Sequence, residues 1–253
     1  MVVVALITSA CGGSGPDATT PSSSPGPTAI TGTVQVFAAA SLKESFDAIA
    51  ARFEKAHPGV TVRASYGPSS DLSASVAKGA PADVFAAAST TTMKVAQDAN
   101  TVGRPAVFAR NTMEVAVYPK RSDAVRSLAD LDNPGVSVAL CAPKVPCGVV
   151  AKTVLDKAKL TVTPKTYGVD VKAVLHDVSL GEVDAGIVYT TDVKAAGSSV
   201  VGVPIPAAGN ATTDYPIATV AAGKNPPAAQ AFVDAVRSSA GMATLAQAGF
   251  EKP

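Results

Sequence analysis

From Gly32 onward the chain alternates between short apolar runs and longer segments whose apolar residues recur at helical spacing. Residues 34–40 form a continuous apolar run, as expected of a strand covered on both faces of a parallel sheet. Ser41 follows and is placed as the N-cap of a helix whose apolar positions Leu42, Phe46, Ile49 and Phe53 fall on one side. Pro58-Gly59 ends that helix, and residues 60–65 read as the next strand. A helix over about 71–78 and a strand over 83–86 continue the alternation. Strand–helix–strand repetition with short links predicts a parallel sheet flanked by helices.

A second unit of the same kind begins near Met113. Residues 113–118 and 136–140 read as strands and 148–159 as a helix. Val171, Val174, Leu175 and Val178 obey the i, i+3, i+4, i+7 rule of an amphipathic helix capped by Asp170, and residues 185–189 form another buried strand. The chain closes with a strand over 215–222 and two helices carrying Phe232, Val236, Met242 and Leu245. Each unit has a helix-end glycine followed by an Asp and a strand, Gly79 with Asp83 and Gly181 with Asp184, which hints at two similar lobes.

Composition narrows the possible roles. Hydrophobic residues make up 47% of the 253 positions and charged residues 16%, with a net charge of +1. That balance provides no basic field for nucleic acid or polybasic patch for a lipid surface. Trp is absent and aromatics are 5%, too few for base-stacking platforms. His57 and His176 lack partners at metal-ligand spacing, and Asp83 and Asp184 are assigned to turns rather than acid–base chemistry. There is no Gly-x-Ser-x-Gly, P-loop or Gly-x-Gly-x-x-Gly pattern.

The first 32 residues read differently from the rest. An apolar stretch of about ten residues is too short to span a bilayer but suits a signal segment. It ends in small residues and Cys11, which resembles a lipobox, with Cys11 as the lipid-attachment site. Residues 12–32 are almost entirely Gly, Ser, Thr, Pro and Ala, a tether with a reach of roughly 25 Å. Cys141 and Cys147 close a short loop, and in an exported chain a disulfide is the expectation.

The strand-to-helix corners are where open α/β sheets bind ligands. Ser41, Ser69 with Ser70 and Asp71, Pro146-Cys147-Gly148, and Asp170-Val171 each occupy one. Every corner offers unpaired N–H groups and about +0.5 of partial charge, so four converging starts approximately match a dianion without any Lys or Arg. Ser hydroxyls, a Tyr hydroxyl and backbone N–H groups all donate, and an unprotonated tetrahedral oxyanion only accepts.

Phe37-Ala38-Ala39-Ala40-Ser41-Leu42 resembles the opening motif of the periplasmic molybdate-binding proteins. Four further stretches fit that family in order: Ser65-Tyr66-Gly67-Pro68-Ser69-Ser70-Asp71-Leu72, Gly79-Ala80-Pro81-Ala82-Asp83-Val84-Phe85, Val145-Pro146-Cys147-Gly148 and Gly186-Ile187-Val188-Tyr189. The resemblance covers about residues 33–253. It implies an α/β, two-lobed fold of the type II periplasmic-binding-protein kind, each lobe a mostly parallel sheet flanked by helices and joined by two crossover segments. The expected division is a signal segment over 1–11, a tether over 12–32, one lobe over 33–112 and 214–253, and the other over 113–213.

The family's oxyanion-holding set falls on the hydroxyls of Ser41, Ser69 and Tyr189 and the backbone N–H groups of Cys147 and Val171. Cys147 replaces a small Ala, which a backbone donor tolerates, and Pro68 leaves Ser69 and Ser70 as alternative hydroxyls. Metal enters only as molybdenum within molybdate, or as tungstate, and no cofactor is expected. The implied partners are an ABC permease and its ATPase, and a membrane through the lipid anchor. Neither nucleic acid nor a second copy of the chain is expected. Such a site holds its ligand without a titrating group, so affinity should change little between about pH 6 and 8. The alternatives are a binder of another oxyanion such as sulfate, a secreted hydrolase with Ser41 or Ser69 as nucleophile, and the effector half of a transcription regulator.

Overall fold

The computed structural model describes residues 1–7 and 30–253. Cys11 and all but the last three residues of the expected tether lie outside the described residues. In the first lobe, β1 (Gly32–Ala39) runs into a 3-10 turn (Ala40–Leu42) and then α1 (Lys43–Ala56). It continues with β2 (Val60–Gly67), α2 (Ser69–Ala77), β3 (Val84–Ala86) and α3 (Thr90–Asp98). Strand β1 is parallel to both β2 and β3.

Two details differ from expectation here. Ser41 lies inside the 3-10 turn rather than at a helix N-cap, and no side chain caps either the turn or α1. A tertiary hydrogen bond takes its hydroxyl instead. Helix α3 has no periodic signature because only Met93 and Ala96 of it are buried. Its start is nonetheless written locally, since the Ser89 hydroxyl accepts from the Thr92 N–H at 3.2 Å.

The second lobe begins within a single long strand. Strand β4 (Ala106–Val117) pairs antiparallel along its first part with β9 (Thr212–Thr219), and along its second with β7 (Ala185–Tyr189) and β8 (Val201–Pro204). The strand expected from Met113 therefore starts earlier, at Ala106. Arg110, Asn111 and Thr112 interrupt the apolar pattern, yet they pair with Asp214, Thr213 and Thr212. Strands β4 and β9 are the two crossovers.

Strand β5 (Val138–Cys141) is parallel to β6 (Thr166–Gly168) and β7, with α4 (Pro146–Ala158), α5 (Val171–Leu180) and α6 (Thr190–Ala196) between and after them. The sheet order is β2-β1-β3-β9-β4-β7-β5-β6, with β8 pairing on β4. The chain returns to the first lobe through β9, antiparallel to β3, and ends in α7 (Pro226–Arg237) and α8 (Ser239–Ala248).

Each lobe has its own core. The first is aromatic: Phe232 packs edge-on to Phe46 and Phe53, with ring centroids 6.0 and 5.4 Å apart. A smaller cluster of Val76, Phe85, Met93 and Ala218 fills the opposite face of that sheet. The second core is mostly Val, Leu, Ile and Ala, including Val115, Val138, Val154, Val174, Val178 and Ile187.

The repeated Gly…Asp segments have the same use in both lobes. Asp83 accepts from the Gln35 N–H at 2.7 Å while its own N–H donates to the Gln35 carbonyl. Asp184 does the same with Ser137, at 2.8 Å to the Ser137 N–H. Each aspartate clamps the start of its strand to the neighbouring one, which leaves the opposite, C-terminal strand ends to form corners.

Candidate functional site

Those corners meet in one small cavity. It is lined by Ala39, Ala40 and Ser41 from the end of β1, Gly67, Pro68 and Ser69 from the end of β2, and Ala88 beyond β3. Facing them are Val145, Pro146 and Cys147 at the start of α4, Asp170 and Val171 at the start of α5, and Tyr189 at the end of β7. All five sequence-predicted residues line it, and of the two alternative serines Ser69 does so while Ser70 donates to Asp71.

Only about 20 Å³ is open to the centre of a water-sized sphere. Pockets for organic ligands run to roughly 300–1,000 Å³, so this one suits a single compact ion. Its walls are sealed: Ser41, Ser69, Cys147, Val171 and Tyr189 are each 1–4% exposed.

The first lobe contributes two hydroxyls, each with one hydrogen-bond partner outside the cavity. The Ser69 hydroxyl accepts from the Ala88 N–H at 3.0 Å, which leaves its proton free for the cavity. Ser41 lies 2.8 Å from the Tyr215 hydroxyl on β9. The Asn111 side-chain amide on β4 in turn donates to Thr191 at 2.8 Å and toward Tyr215 at 3.5 Å. Either hydroxyl of the Ser41–Tyr215 pair can be the donor, and each keeps the capacity for a further partner.

The second lobe contributes helix starts. Pro146 opens α4, where its missing N–H costs nothing, so the following N–H of Cys147 is among the unpaired donors of the first turn. Asp170 caps α5 by accepting from the Ala173 N–H at 3.0 Å, which turns its carboxylate back onto the helix. Cys141 and Cys147 are joined in a disulfide with Cα atoms 5.8 Å apart. A Cβ on Gly148 would stand 2.1 Å from the Ala142 carbonyl oxygen, so the loop lies against the helix start as closely as glycine permits.

Tyr189 adds a third hydroxyl, and among the described residues that hydroxyl has no hydrogen-bond partner. Its ring stands edge-on to Tyr215 at 6.1 Å. Burial, reinforced by Tyr215 and Asp192, pushes its pKa well above the usual phenol value, so it remains a donor at any ordinary pH. An unpaired buried hydroxyl costs about 1–3 kcal/mol, and an acceptor in the cavity would recover it.

Among the described residues, no Lys, Arg or His lines the cavity, Ser41 meets Tyr215 and Ser69 meets a main-chain N–H. Sequence reading passed over Tyr215, Asn111 and Thr191, and also a charged group behind the site. Asp192 is fully buried, and burial pushes its carboxyl up to about 6 against the opposing pull of Lys172. The window in which no nearby group titrates is therefore narrower than pH 6 to 8. The available signal was a polar residue inside a buried strand, Asn111 and Tyr215 both being of that kind.

Comparison with known proteins agrees with this geometry. The molybdate-binding protein ModA of Mycobacterium tuberculosis is 38% identical over 255 residues, covering 100% of this chain and 95% of its own length. The Azotobacter vinelandii periplasmic molybdate-binding protein superposes with a TM-score of 0.78 at 18% identity, covering 87% of this chain and 99% of its own. The sulfate-binding protein SubI of M. tuberculosis shares the fold at a TM-score of 0.74 and 22% identity, with 87% and 86% covered. The family profile of bacterial extracellular solute-binding proteins matches residues 34–251. With that profile spanning nearly all of the two-lobed body and a 38% identical relative along its whole length, the chain belongs to the bacterial extracellular solute-binding proteins.

Proposed function

We propose that this protein captures molybdate, or tungstate, between its lobes outside the cytoplasmic membrane and delivers it to an ABC permease driven by its ATPase. Ser41, Ser69 and Tyr189 donate through hydroxyls, and Cys147 and Val171 through backbone N–H groups. The observation that carries this reading is the Tyr189 hydroxyl, buried and, among the described residues, unpaired in a cavity that offers donors and no cation. A dianion supplies the missing acceptor, and helix starts with hydroxyls meet its charge without a counter-ion. The 38% identical ModA relative supports molybdate as the particular ion.

The lobes are taken as 33–112 with 214–253, and 113–213, closing by a hinge in β4 and β9. Lipidation at Cys11 and a leash over 12–32 would hold a monomer to the membrane. Among the described residues no helix is long and apolar enough to cross one.

Titration calorimetry with molybdate, tungstate, sulfate and phosphate tests the reading. Molybdate and tungstate are expected to bind most tightly, with affinity flat between about pH 7 and 8 because no donor titrates there. Sulfate bound more tightly than molybdate would favour the alternative supported by the SubI likeness. Turnover of an ester would contradict both.

A further inference from the structure

We infer that Glu44, Lys172 and Asp192 form a latch that holds the two lobes closed over the ion, with Lys172 as its pivot. This rests on the oxyanion-binding reading above. The Lys172 ammonium lies 2.8 and 2.9 Å from the two carboxylate oxygens of Glu44 on α1, and 3.0 Å from the Asp192 carboxylate on α6. Among the described residues, Lys172–Glu44 is the ion pair that joins a helix of one lobe to a helix of the other. The remaining pairs lie within a lobe or between the crossover strands.

The placement of the three residues ties them to the cavity. Glu44 is three residues beyond Ser41, Lys172 directly follows Val171, and Asp192 is three residues beyond Tyr189. Each charge therefore sits within about one helical turn of a proposed donor. Pulling the three charges together draws the Ser41 corner of the first lobe against the Val171 and Tyr189 corners of the second.

The exposures set the direction of the effect. Asp192 is completely buried and the Lys172 side chain is 24% exposed, while Glu44 is 49% exposed. Lys172 and Asp192 belong to the same lobe, so their contact persists when the lobes part and keeps the ammonium aimed across the cleft. Burial alone would lower the Lys172 pKa, but Asp192 and Glu44 together hold it above the usual value, so the cation stays charged. Glu44 leaves with the first lobe and is readily hydrated. Only a contact made in one state and lost in the other shifts the balance between them, and Lys172–Glu44 is of that kind. Its consequence is slower release of the ion, with little influence on capture.

The test compares wild type with Glu44→Gln in molybdate binding and stopped-flow release, with Lys43→Gln as control. Lys43 lies on the same helix but pairs within it to Asp47. Glu44→Gln is expected to release molybdate about three- to fivefold faster, in the range of a partly exposed ion pair, with association unchanged. The difference should vanish in about 1 M salt, where the screening length falls to about 3 Å. The unliganded unfolding temperature should stay at the wild-type value, and Lys43→Gln should release at the wild-type rate. Wild-type release by Glu44→Gln overturns the latch while leaving the binding reading intact. So does an equal loss of stability with and without molybdate. A wild-type protein that binds no oxyanion overturns the binding reading itself, and the latch with it.

Discussion

The two lobes meet the same cavity with different chemistry. The first offers side-chain hydroxyls, Ser41 and Ser69, each fixed by a partner on another strand or loop. The second offers main-chain N–H groups at two helix starts, with one phenol. A side-chain donor can be deleted by one substitution, whereas a backbone donor survives any substitution that preserves the helix start. For binding, variation at Cys147 therefore costs little, whereas variation at Ser41 costs a donor.

The largest effect is expected at Ser41. Ser41→Ala removes a charge-assisted bond, and it also leaves the buried Tyr215 hydroxyl without its 2.8 Å partner. A bond of this class is worth about 1.5–3 kcal/mol, so molybdate affinity should fall roughly 10- to 100-fold by calorimetry. Unchanged affinity would remove Ser41 from the site and with it the contrast between the lobes. Tyr215→Phe in the Ser41→Ala background should add nothing further if Tyr215 acts only through Ser41.

Much of this was legible in the chain because it is local. Strand ends, the Asp170 cap and Pro146 at a helix start are written within a few residues, and so the corners could be placed before any coordinates. What could not be read was the support behind them. Ser41 meets Tyr215 across 174 residues and Asn111 meets Thr191 across 80, contacts that only the folded crossover strands bring about. The same cause hid β4, whose Arg110-Asn111-Thr112 step reads as a loop until β9 pairs with it. The capping argument for Ser41 is partly mistaken: the residue lies in a 3-10 turn beside Tyr215, not at a helix cap.

Tyr189→Phe should give the intermediate effect and the sharper diagnosis. Its hydroxyl is buried without a partner, so its removal relieves a desolvation cost in the unliganded closed form. Affinity is expected to fall about tenfold while the unliganded unfolding temperature holds or rises. Thermal unfolding with and without molybdate separates the two. A fall in unliganded stability would mean that the phenol has a structural partner and is not held in reserve for the ion.

The smallest effect on binding is expected from removing the Cys141–Cys147 bridge. A seven-residue ring contributes about 2 kcal/mol to stability by chain entropy, so a Cys141→Ala/Cys147→Ala protein should unfold at a clearly lower temperature. The Cys147 N–H, however, is positioned by more than the bridge. Val149 N–H donates to the Val145 carbonyl at 3.1 Å, Val145 N–H to the Ala142 carbonyl at 3.1 Å, and Gly148 fits directly against Ala142. The helix start should therefore persist, and affinity should fall only about two- to fivefold, less than the worth of one full charge-assisted bond. An affinity loss as large as that of Ser41→Ala would place control of the second-lobe donor in the covalent bridge. Backbone donors would then be as exposed to single substitutions as the hydroxyls opposite them.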